Sequence, residues 1–180
     1  MENIPFPNKK YNIIYADPPW KLKAGSEWNT RGTSNGVSRN LVYPTMEIDE
    51  IINLPVKEIA NKDCHLYLWT VNKYLKETFD VLNAWGFKFS CMLTWCKPKH
   101  GIGLGGTYIQ TTEHLFFCRR GTLKAKKRVD TSWFAHKRLS HSTKPPFFRD
   151  MIVDTSGDLP RIELFSRKFT DGWDVWGNEV

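Results

Sequence analysis

Long hydrophobic runs are missing from this 180-residue sequence. No apolar stretch approaches the ~20 residues that a membrane-spanning helix needs, so no membrane partner is expected. Met1-Glu2-Asn3 opens with an acid and leads into no apolar core. No secretory signal is therefore expected, and the protein is assigned to the cytoplasm. Cysteine is scarce: Cys64, Cys91, Cys96 and Cys118 each lie in or beside apolar strand-like runs and read as reduced, buried thiols. Their spacing, even with His136 and His141 added, matches no zinc pattern, so no metal is expected. Acids are in deficit, 19 against 26 lysines and arginines, for a formal charge of +7. That excess suits a polyanionic partner such as nucleic acid, or is simply the surface of a basic protein. Repeats, low-complexity tracts and linkers are absent too. Residues 1–180 therefore read as one domain with little room for a separate recognition module.

What is present is organised around Asp17-Pro18-Pro19-Trp20. The preceding run, Tyr11-Asn12-Ile13-Ile14-Tyr15-Ala16, reads as a strand buried on both faces. Asp17 then falls at the carboxyl end of a strand, where open α/β sheets bind ligands. Two prolines fix φ and remove two N–H donors, leaving a stiff loop that offers carbonyl oxygens. Asp-Pro is also an ordinary turn starter, so the tetrapeptide by itself supports either a site or a plain strand end.

Further strands are expected over residues 65–70, 89–95, 113–118 and 161–166. A helix follows from Leu75, Phe79, Leu82 and Trp85, stopped by Gly86. A second helix opens at Pro145-Pro146 and runs through Ile152, with Gly157 past its end. Thr45 is the expected N-cap of a short helix, with Glu47, Asp49 and Glu50 in its first turn. Strand–helix alternation argues for a mostly parallel α/β sheet. Residues 21–40, rich in Gly, Ser and Asn, suit a lid over the site. The glycine-rich basic residues 97–106 lack a Walker ending and suit a loop that contacts a partner or a polyanion. Beyond residue 118 lie Arg119, Arg120, Lys124, Lys126, Lys127 and Arg128, then Lys137 and Arg138, with Trp133 and Phe134 interleaved. Such a run is either a solvated face or a track for a phosphate backbone with rings that stack on bases.

A set of strings in fixed order carries a family resemblance. They are Ala16-Asp17-Pro18-Pro19-Trp20, Tyr43-Pro44-Thr45-Met46, Leu66-Tyr67-Leu68-Trp69, Ala84-Trp85-Gly86-Phe87, Trp95-Cys96-Lys97-Pro98, His141-Ser142-Thr143-Lys144-Pro145, Ile162-Glu163-Leu164-Phe165-Ser166-Arg167 and Trp176-Gly177-Asn178-Glu179. From Tyr11 to Val180 the chain resembles the N6-adenine methyltransferases of the family named for the seventy-kilodalton subunit of the mRNA adenosine methyltransferase. The resemblance implies a Rossmann-like methyltransferase sheet in permuted order, catalytic strand first, using S-adenosylmethionine. It implies Asp17 as the catalytic acid and the Pro18 carbonyl as a second acceptor for the adenine amino group, with Pro19 and Trp20 completing the catalytic motif and Trp20 stacking on the base. Lys144, Arg167, Asn178 and Glu179 match cofactor-contact positions, joined by Asp17. Tyr43 and Glu113 match positions near the target base, although Glu113 also reads as a plain strand-end carboxylate. Phe169 and Thr170 fall where ribose contacts vary, and Phe165-Ser166-Arg167-Lys168 stands in place of the usual glycine-rich cofactor loop. The expected activity is transfer of a methyl group to adenine in DNA, in a bacterial or phage-infected cytoplasm. The alternatives are an RNA N6-adenosine methyltransferase and a non-catalytic nucleic-acid-binding subunit. A homodimer or a related partner subunit is expected from the same resemblance.

Overall fold

The computed structural model describes residues 4–21, 44–97, 107–138 and 143–178. Tyr43, Glu179, the lid expected over residues 21–40 (beyond Lys21) and most of the loop expected over 97–106 lie outside the described residues. Strand β1 (Tyr11–Ala16) matches the expected run. After it come α1 (Ile48–Ile52), α2 (Val56–Ile59), β2 (Ala60–Thr70), α3 (Leu75–Trp85), β3 (Lys88–Cys96), β4 (Thr112–Arg120), β5 (Trp133–Ala135), α4 (Phe147–Ser156), β6 (Arg161–Leu164) and β7 (Asp174–Trp176).

The strands form one sheet in the order β5-β3-β4-β2-β1-β6-β7. Pairing is parallel between β1 and β2, β1 and β6, β6 and β7, and β3 and β5, whereas β4 is antiparallel to both β2 and β3. Every strand except β4 therefore points the same way. Alternation splits the side chains between two cores. Ile14, Leu66, Leu68, Phe116 and Ile162 pack with Val81, Leu82 and Trp85 under α3. Ile13, Tyr15, Tyr67, Trp69 and Leu115 pack with Phe148, Met151 and Ile152 under α4. Helices on both faces of a largely parallel sheet make this the Rossmann-like arrangement, with β1 inside it between β2 and β6.

Several local expectations need correction. Glu47, not Thr45, caps α1: Glu47 N–H donates to the Glu50 carboxylate at 2.7 Å, closing a reciprocal capping box. Phe79 does not face the core. It is 43% exposed and edges against Phe89 and Phe116, while Thr78 takes the buried position beside it. Helix α3 does end at Gly86, whose φ of 78° is the left-handed conformation that glycine adopts without penalty. Of the interleaved aromatics, Phe134 is buried under α4, and only Trp133 stands free at 62% exposure. Strands β5 and β7 and helix α2 are too short, at three to four residues, to show a period.

One buried ion pair ties the α4 face to β6. Arg149 of α4 donates Nε and Nη2 to Glu163 of β6 at 2.6 and 2.5 Å, and its guanidinium lies over the Tyr15 ring at 5.6 Å. The two side chains are 12% and 7% exposed. Glu163→Gln keeps the shape and removes the charge, and should cost about 2 kcal/mol of folding free energy. Urea unfolding measures it; an unshifted midpoint would show that the pair contributes nothing net.

Candidate active site

The carboxyl ends of the parallel strands converge on one edge of the sheet. Asp17 follows β1 there, Lys97 follows β3, and Phe165 follows β6. Glu113 reaches the same edge from the start of β4, because that strand runs backwards. Lys144 arrives just ahead of α4, whose axis returns antiparallel to the strands.

These side chains form an alternating chain of charge. Lys144 Nζ lies 2.6 Å from Asp17 Oδ2 and 3.2 Å from Glu113 Oε2, and Lys97 Nζ lies 2.5 Å from Glu113 Oε1. Lys144 is only 11% exposed, with its ammonium 5.0 Å from the Trp69 ring centre. Burial pushes the Asp17 carboxyl above its ordinary range, and the Lys144 ammonium brings it only part of the way back. Glu113 moves the other way: burial would raise it, but Lys144 and Lys97 together outweigh burial and hold it ionised. Two carboxylates at one edge are thus driven apart in proton affinity, a pattern typical of sites that do chemistry.

The proline loop is braced. Pro18 carbonyl accepts from Trp20 N–H at 2.8 Å, keeping one lone pair free, while Pro19 carbonyl accepts from Met46 N–H at 2.9 Å. Trp20 is 5% exposed, donates Nε1–H to the Trp69 carbonyl at 3.2 Å and stacks on Tyr74. Its ring is therefore a brace for the loop and offers no open face to a base, contrary to the expectation from sequence. Beneath, Trp69 Nε1–H donates to the buried Tyr15 hydroxyl at 2.7 Å, locking β1 to β2 below the acid.

Of the other expected cofactor residues, Arg167 and Asn178 lie where β6 and β7 end. Ser166 N–H donates to the Trp176 carbonyl at 3.1 Å. A Cβ on Gly177 would stand 2.0 Å from the Ser166 carbonyl oxygen, so only glycine allows this crossing. It brings Arg167 and Asn178, both exposed, to neighbouring turns. Phe165, at φ 63°, holds a left-handed conformation that costs a bulky residue about 1 kcal/mol or more, a strain characteristic of ligand sites. Thr170 Oγ1 and Trp176 Nε1 are buried and have no hydrogen-bond partner among the described residues. Orphaned polar atoms, a strained turn and the Lys144 cation fit a ligand carrying hydroxyls and a carboxylate, and S-adenosylmethionine is such a ligand. Sequence reasoning placed Lys97 only in a loop that contacts a partner or a polyanion, and gave no role to Trp69 or the Arg149–Glu163 pair. Lys97 carried a signal, as the first residue past a strand, whereas the pair joins elements with no pattern in common.

Similarity to known proteins runs over the same span. The MT-A70 family model matches residues 11–179. Type II methyltransferase M.MunI from a Mycoplasma species is 31% identical, covering 97% of this chain and 79% of its own length. The human N(6)-adenine-specific methyltransferase METTL4 is 25% identical over 96% of this chain and 38% of itself. The N6-methyladenosine RNA methyltransferase MTA1 of Pyricularia oryzae is 24% identical over 94% of this chain and 47% of itself. With that family model spanning nearly every residue, and Asp17 at the carboxyl end of β1, the chain belongs to the MT-A70 family of methyltransferases.

Proposed function

We propose that this protein transfers a methyl group from S-adenosylmethionine to the N6 amino group of adenine in DNA. The observation that carries the reading is Asp17: a half-buried carboxylate on a doubly braced proline loop, beside a carbonyl with a free lone pair. The adenine amino nitrogen is a poor nucleophile because its lone pair is delocalised into the ring. Asp17 and the Pro18 carbonyl accept its two hydrogens, which localises that pair and aims it. S-adenosylmethionine supplies a methyl group already activated by a cationic sulfur. Lys144, Arg167, Thr170 and Asn178 are the described residues that would hold it, with Glu179 and Tyr43 added from the family pattern. Glu113 sets the position of Lys144. If the DNA is duplex, the target base must leave the stack at a cost of about a few kcal/mol.

DNA is preferred because M.MunI, named as a type II methyltransferase, is matched along most of its length, whereas the chain spans less than half of the RNA enzyme MTA1. Among the described residues no helix is long and apolar enough to cross a membrane. The test is incubation with labelled methyl donor and matched DNA and RNA oligonucleotides, followed by nucleoside mass analysis. N6-methyladenine in the DNA arm is expected. Equal or RNA-favoured turnover would overturn the choice of DNA, and binding without turnover would favour the non-catalytic reading. Running the assay at rising protein concentration tests for a homodimer: specific activity that rises with concentration is expected if the active form assembles over that range.

A further inference from the structure

A cavity of about 400 Å³ opens on the α4 face of the sheet, away from the Asp17 edge. Its floor is Tyr67, Phe117, Cys91 and Leu93, from β2, β4 and β3, and its mouth carries Lys127 and Arg128. The volume lies within the roughly 300–1,000 Å³ of small-ligand sites. Tyr67 lies three residues before Thr70, the last residue of β2, so the floor is about 10 Å below the reaction edge at strand spacing.

The floor carries two aromatic rings, and Thr155 Oγ1 in the lining is buried without a hydrogen-bond partner among the described residues. The Phe117 and Tyr67 rings lie 5.1 Å apart at 34°, and the Tyr67 hydroxyl is engaged by Ser156 Oγ at 2.9 Å. Arg119 holds its guanidinium 5.4 Å from the Phe117 ring. The loop over the mouth is exposed throughout and carries Lys124, Lys126, Lys127 and Arg128 against a single acid, Asp130. Two of these cations have partners, Asp154 at 3.6 Å and Asp130 at 3.4 Å, but all four groups are highly exposed. Such pairs are readily exchanged for a phosphate. A flat apolar floor under a cationic mouth is complementary to one ligand chemistry, an aromatic base carrying a phosphate.

We infer that this groove holds an unpaired nucleotide of the substrate strand, flanking the adenine presented to Asp17. The base lies over Phe117 and the phosphates meet Lys127 and Arg128. The inference rests on the reading that the protein acts on nucleic acid, but its test does not use turnover. Cys91 lines the groove and is partly exposed, while Cys64 and Cys118 are fully buried. In a Cys96→Ala background the rate of Cys91 alkylation therefore reports occupancy. A saturating single-stranded, adenine-containing DNA oligonucleotide should slow it about tenfold, the scale of one stacked base. An unchanged rate, with binding confirmed by fluorescence anisotropy, would overturn the inference. Equal protection by deoxyadenosine monophosphate alone would make the groove a free-nucleotide site and overturn its assignment to the strand. Neutralising Lys127 and Arg128 to alanine should lower the slope of log affinity against log salt by about 1.4 for a single strand. An unaltered slope would remove the phosphate contacts. Methylation with Cys91 unprotected would defeat the groove and spare the proposed function; protection without methylation would do the reverse.

Discussion

Asp17→Asn should lower kcat by about 10²–10³ while leaving the fold intact, since one hydrogen-bonding group aimed at developing charge contributes on that scale. Asparagine is nearly isosteric, and Lys144 keeps Glu113 at 3.2 Å as a counter-charge, so no buried ammonium is left alone. The substitution exchanges an ionised acceptor for a neutral amide and removes the pull on the amino hydrogen. Oligonucleotide binding should change little, because Asp17 contributes no surface charge to the cationic face. A variant that methylates at the normal rate would eliminate Asp17 as the acceptor. A variant that loses its far-ultraviolet circular dichroism would reveal a structural role instead. Methylation by the unaltered protein should also rise with pH through the Asp17 carboxyl. Burial has raised that pKa, so the acid limb should lie above the usual carboxylate range.

Lys144→Met should act on both ends of the site. Its ammonium is the charge shared by Asp17 and Glu113, and without it two half-buried carboxylates lose their common counter-charge. Removing one partner from a buried ionic cluster costs about 3 kcal/mol of stability. The Asp17 carboxyl, already raised by burial, loses the cation that lowers it, so the acid limb of the pH profile should move further up. A protonated Asp17 presents a donor where the amino group needs an acceptor, which fixes the direction of that shift. Glu113 shows the opposite linkage. Its folded pKa is depressed, so its stabilisation is present above the unfolded pKa and lost as pH falls through the folded one. Lys144→Met weakens that depression and should narrow the acid side of the stability profile. A lost charge-assisted bond to a ligand carboxylate should also raise KM for S-adenosylmethionine about ten- to a hundredfold. Lys144→Arg should recover the pH limb better than KM, since it restores charge but not the compact reach of an ammonium. If the limb stays in place in Lys144→Met, Lys144 does not govern the ionisation of Asp17.

The edge chemistry was partly open to reading before any fold was known. The largely apolar run Tyr11–Ala16 reads as a buried strand that ends at Asp17, and β1 is that strand. Gly86 and Pro145-Pro146 marked helix boundaries through φ preferences that act within one residue. The failures have a common cause. Trp20, Phe79 and Phe134 are large apolar side chains whose exposure depends on what packs over them. The sequence pattern around each is the same for a free ring and for a covered one.

By itself, then, the order of residues determined the strand that ends at Asp17 and the α/β class, while a catalytic role for the loop came only with the family resemblance. The strand and the class follow from local sterics and from the strand–helix alternation of the segments. Only the tertiary structure decided that Glu113 faces Lys144 at the reaction edge. Had β4 run parallel to its neighbours, the first residues of that strand would lie at the opposite end of the sheet. Strand direction is set by which chain-distant partners exchange hydrogen bonds. It likewise took the packed sheet to turn the cationic residues 124–128 from a solvated run into the mouth of a groove, because its floor comes from three strands that are neighbours only in space.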